Sequence, residues 1–68
     1  MNTTTTVPLE TQLAEVNREI AMREKVYPRW ITENKITKWK ADEKLANMKA
    51  VADTLRGLVA AKNPPLIA

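Results

Sequence analysis

Six residues, Ala41, Leu45, Met48, Ala52, Leu55 and Val59, recur at spacings of four and three. That alternation is the mark of a helix that buries one stripe against a neighbour. An earlier stripe, Leu9, Leu13, Val16, Ile20, Tyr27 and Ile31, has the same period, with Arg23 at its one non-apolar position. Between the two lies Glu33-Asn34-Lys35-Ile36, which fits neither. Asn34 tolerates the left-handed backbone that closes helices, and Thr37 is a good N-cap for the helix that follows.

These signals divide the chain into a polar, Thr-rich start over residues 1–7, expected to be disordered, and a hairpin over 8–62. A tail over 63–68 contains Pro64 and Pro65. Within the hairpin the pattern predicts a helix over 8–33, a turn over 34–37 and a helix over 38–62. Pro8 suits a first helical turn, and Glu10 suits the positive end of the helix dipole. Pro28 removes a hydrogen bond to the Glu24 carbonyl, so a kink is expected near it in a helix that bends rather than ends. The second helix must stop before Asn63-Pro64-Pro65, because a residue ahead of proline avoids the α region.

Two helices of roughly 26 residues, each about 39 Å long, that are joined by so short a turn run antiparallel. The fold class expected is therefore all-α, an antiparallel two-helix hairpin. With 68 residues and no Cys or His, the chain has neither disulfide nor zinc to brace a thin core. Val51 and Leu58 also widen the apolar face of the second helix beyond what one neighbour covers. A homodimer forming a four-helix bundle is the expected remedy. Leu13, Val16, Ile20, Leu45, Met48 and Leu55 are the expected core and dimer residues.

Composition narrows the function. Without Cys, His or Ser the chain has no thiol nucleophile, no imidazole and no serine for a hydrolase triad, so an enzyme is not expected, nor a metal or cofactor. A net charge of +3 is too mild for a protein whose affinity rests on neutralising phosphates. The charge is unevenly placed, however: residues 23–49 hold eight basic and four acidic side chains. No stretch has the roughly 18 apolar residues of a membrane span, and residues 1–6 lack the features of a leader, so no membrane insertion is expected and the address is cytoplasmic.

All three aromatic residues, Tyr27, Trp30 and Trp39, fall near the turn among these cations. Tyr27 and Trp30 are either plugs for the wide end of the bundle or contacts for a partner. Trp39 points away from the seam, over a strip with Glu43, Ala46, Ala50, Asp53 and Gly57, as a packing groove for a second copy or an anchor for a foreign protein. Met22 and Val26 lie off the seam as a dimer contact or an outward patch. Arg23 should find Glu19, Glu24 or Glu43, while Lys38 with Asp42 and Lys49 with Asp53 are i,i+4 pairs. A second reading is a small nucleic-acid-binding regulator that uses the basic turn end, although Asp42 and Glu43 interrupt that surface.

The run from Arg18 to Ile31, with Val26-Tyr27-Pro28-Arg29-Trp30 at its centre, is followed by Thr37, Ala41-Asp42 and Leu45-Ala46. Together they resemble small helical-hairpin proteins of phages and prophages that carry a Val-Tyr-Pro-x-Trp block. The resemblance covers about residues 15–55. It implies a phage anti-activator that contacts host proteins in the bacterial cytoplasm, namely a quorum-sensing transcription activator and the type IV pilus assembly ATPase. The expected partner-binding residues are Tyr27, Arg29, Trp30, Trp39, Lys35 and Lys38, chosen for their physical character.

Overall fold

The computed structural model describes residues 6–62; the expectations for residues 1–5 and for the Pro-containing tail over 63–68 lie outside them. Two helices, α1 (Leu9–Thr32) and α2 (Lys38–Lys62), form an antiparallel hairpin. Thr6, Val7 and Pro8 precede α1 in a non-helical conformation. Pro8 is the residue before the helix rather than its first member, with φ −57° and ψ 148°. Its carbonyl accepts the Gln12 N–H at 3.0 Å, and the Gln12 side chain donates to the Val7 carbonyl at 2.8 Å. α1 continues as a single α-helix through Pro28.

The turn is built as its residues suggest. Asn34 has φ 60°, the left-handed conformation, and the amides after α1 fold back onto its last carbonyls. Asn34 N–H donates to the Ile31 carbonyl at 3.0 Å and Lys35 N–H to that of Trp30 at 2.8 Å. This pair of bonds is the Schellman closure of a helix, here with Asn rather than Gly at the left-handed position. Thr37 then caps α2, its hydroxyl accepting the Lys40 N–H at 3.0 Å.

Every expected apolar seam position is at least half-buried. Ile20, Tyr27, Ala41 and Ala52 are buried, and Leu9, Leu13, Val16, Ile31, Leu45, Met48, Leu55 and Val59 are half-buried. Two small residues, Ala41 and Ala52, make up half of the four buried residues, so the seam covers little side-chain surface. Salt bridges at 3.2 Å, Glu24 to Lys49 and Glu10 to Lys62, tie the two helices together. The first of these corrects the expected Lys49–Asp53 pair. Lys49 lies on the flank of α2 that faces α1, while Asp53 takes Arg56 at 2.6 Å on its own helix. Lys38 and Asp42 pair at 2.8 Å as expected. Among the described residues, no helix is long and apolar enough to cross a membrane.

Candidate functional site

The turn end separates into two unlike surfaces. On one flank, Met22, Val26, Trp30, Ile36 and Met48 line an apolar groove of about 640 Å³, with Arg23, Lys44 and Asn47 at its rim and Tyr27 at its floor. Local geometry makes this groove. The Asn34 turn carries Ile36 back beside Trp30, and Trp30 leans on Tyr27 with ring centroids 5.7 Å apart and planes tilted by 47°. Tyr27 retains 4 % of its surface. It therefore packs in the seam and supports Trp30 rather than offering a face of its own. Trp30, at 36 % exposure, is half plug and half rim.

Arg23 resolves the choice among its candidate partners in favour of Glu19. Its guanidinium donates to the Glu19 carboxylate one turn back and, at 3.3 Å, to the Glu19 carbonyl. Glu43 is engaged elsewhere, with Lys40 at 3.0 Å. The Arg23 hydrogen bond is the chief reason that the Glu19 carboxyl lies below its ordinary range, with Arg18 adding to the effect and burial opposing it. The same bond raises Arg23 above the ordinary guanidinium value. A charge in the seam is thus held in its ionised form by a neighbour on its own helix.

The other surface belongs to Trp39. Its indole is 69 % exposed, the most exposed large apolar side chain among those described. The Lys40 ammonium sits 5.3 Å from its ring centroid, a cation–π contact that leaves the rest of the ring open. Ala46, Ala50 and Gly57 follow along the same face at helical spacing, all exposed. At Gly57 a Cβ would meet nothing within 4 Å, so the packing of one hairpin does not require glycine there.

Lys35 and Lys38 are exposed beside the turn, paired with Glu33 at 3.2 Å and with Asp42. All eight Asp and Glu side chains, which lie among the described residues, have a cationic partner. Among the described residues, Lys25, Arg29 and Lys44 have no carboxylate partner within 4.0 Å. Lys25 and Arg29 share the outer side of α1, one turn apart. Lys44 lies apart from them at the groove. The expected binding residues are thus not one cluster: Trp30 belongs to the groove, Trp39 and the lysines to the turn and outer side, and Arg29 to the back of α1. Ile36, Lys44 and Asn47 are groove residues that the helical pattern did not single out. Comparison with protein-family models, curated proteins and solved structures finds no match.

Proposed function

We propose that this chain is a non-catalytic interaction protein, a homodimeric four-helix bundle that binds a host protein and inhibits it by covering a working surface. The observation that carries the reading is Trp39, an indole 69 % exposed on the side of α2 away from the seam. Its removal from the fold would cost the hairpin little, whereas indoles are among the side chains that contribute most at protein interfaces. The strip of Ala46, Ala50 and Gly57 beside it lets a partner's backbone come close. Lys35, Lys38 and Arg29 supply charge for steering and orientation.

Dimerisation enters the proposal because the hairpin's core is one layer deep while Met22, Val51 and Leu58 remain 46–48 % exposed. The resemblance of the Val-Tyr-Pro-x-Trp block supplies candidate targets, a quorum-sensing transcription activator and the type IV pilus assembly ATPase, in the setting of phage infection. Nucleic-acid binding draws less support. The three cations without carboxylates are spread over two sides of the molecule rather than gathered along one track.

The test is a binding titration of the purified chain against each candidate target and against a random DNA duplex, at low and moderate salt. The proposal expects saturable binding to a protein target that survives added salt and drops at least tenfold in Trp39→Ala. Binding to the duplex that falls steeply with salt, with no affinity for either protein, would replace it by the nucleic-acid reading.

A further inference from the structure

The flank that holds the turn-end groove continues to the open end of the hairpin. At about 100° per residue, Met22, Val26 and Trp30 stand to one side of the α1 seam, with Lys44, Asn47, Val51 and Leu58 on the matching side of α2. Glu15 and Glu19 share the α1 side. The Glu24–Lys49 and Glu10–Lys62 bridges set the levels. Trp30, Val26 and Lys44 belong to the turn half, Val51 to the middle, and Glu15 and Leu58 to the open half. A second groove, about 520 Å³ and lined by Val7, Thr11, Gln12, Glu15 and Val16, lies in the open half. The flank therefore has a hollow at each end and an exposed aliphatic pair, Val51 and Leu58, along it.

Its charge is polarised as well. The turn-end groove has Arg23 and Lys44 at its rim; Arg23 is paired with Glu19, whereas Lys44 has no acidic partner among the described residues. The open half presents Glu15, whose side chain stays 57 % exposed beside Arg18, while Lys62, about five turns beyond Lys44 on the same side of α2, is paired with Glu10.

We propose that a second copy of the chain seats on this flank with its turn pointing the opposite way, α1 lying over α1 and α2 over α2. The two-fold axis passes beside Val51. This rests on the homodimer reading and gives it an orientation. Val51 meets its own counterpart, Leu58 reaches the turn-end groove of the other copy near Lys44 and Asn47, and Trp30 lies over the other copy's open-end groove. Glu15 is carried to the cationic half of its mate. The opposite choice, with both turns together, also places Leu58 over a hollow, so shape does not separate the two. Charge does: turns together would gather both copies of Lys44, the groove cation without a carboxylate, at one end while both copies of Glu15 collect at the other.

The chain has no cysteine, so single-cysteine variants report cleanly. In full-length protein, Val51→Cys is expected to oxidise to a covalent dimer, since a disulfide needs Cα atoms within about 7 Å. In the arrangement with turns together α2 lies over α1, and the two Val51 positions are diagonal and out of reach. Spin labels on Asn34→Cys are expected to lie farther apart than about 36 Å, the length of a 24-residue helix. Lys44→Glu, checked for unchanged helicity by circular dichroism, is expected to weaken association at least tenfold at low salt. Leu66→Asp with Ile67→Asp is expected to leave association intact. Labels within about 25 Å, well under one helix length, would overturn the orientation while keeping the dimer. A monomer in sedimentation would remove the dimer itself. Loss of association in the Leu66, Ile67 variant would make the tail the occupant of the flank and overturn the proposal.

Discussion

Trp30 and Trp39 stand on opposite sides of one turn, and the two surfaces around them differ in kind. Around Trp30 the chain has built a concavity: Tyr27 beneath the indole, Ile36 folded back beside it, Arg23 held in the seam by Glu19. Around Trp39 lie exposed small and acidic residues on the same helix face and one cation over the ring. The first indole is tied to the fold through its neighbours, whereas the second is free of it. Exposure is therefore a poor guide without the surroundings. A half-exposed aromatic that closes a groove is part of the architecture, and one that stands out from the seam is available to something else.

The sharpest way to break the contrast is to remove the floor of the groove. Tyr27→Ala is expected to lower unfolding free energy by about 3–5 kcal/mol, in line with loss of a buried aromatic ring, read from the urea midpoint. A cost under about 1 kcal/mol would mean that the groove side is as dispensable as the outer side. Next is the turn that brings Ile36 to Trp30. Asn34→Val forces a β-branched residue to φ 60°, and about 1–2 kcal/mol of stability should be lost, with Trp30 fluorescence shifting to the red.

The outer side should behave in the opposite sense. Gly57→Ala replaces glycine in a helix with space around it and should raise stability by about 0.5–1 kcal/mol. If the strip beside Trp39 receives a partner, the same variant weakens that complex while strengthening the hairpin. Trp39→Ala should change stability by no more than about 0.5 kcal/mol, and a melting temperature that falls as far as that of Tyr27→Ala would show that Trp39 belongs to a core after all.

The smallest effect expected is with acid. Glu19 titrates below its free value because Arg23 donates to it, so the stabilisation from that pair is complete above the ordinary Glu value of about 4.3. It is lost as pH falls through the lower folded value. Glu19→Gln should flatten that part of the stability profile below pH ~4, and an unchanged slope would show that other carboxylates set it.

Most of the hairpin was legible because its period is unambiguous. Twelve apolar stripe positions, spaced by threes and fours except where Arg23 intervenes, leave one solution, and all twelve are buried or half-buried in the structure. Asn34 and Thr37 were readable too, since each carries its own chemistry for ending or starting a helix. What could not be read were relations between helices. Lys49 has Asp53 one turn away on its own helix and Glu24 across the seam, and only the flank on which it stands decides for Glu24. Ile36 lies in the segment that breaks the pattern, so no periodicity marked it as groove lining. Lys44 and Asn47 are ordinary solvated positions on α2 and become groove residues only because Met22, Val26 and Trp30 lie opposite. Trp39 was placed away from the seam by its angle alone, and the structure leaves it there.

The central claim is that one hairpin is half of a folded unit, with its apolar flank completed by a second copy and its outer indole left for a partner. Sedimentation equilibrium of the full chain at micromolar concentration tests it most directly. The account predicts a particle of twice 7.7 kDa that loses helicity and dissociates together on dilution. A monodisperse 7.7 kDa species that keeps a cooperative helical melt would contradict it.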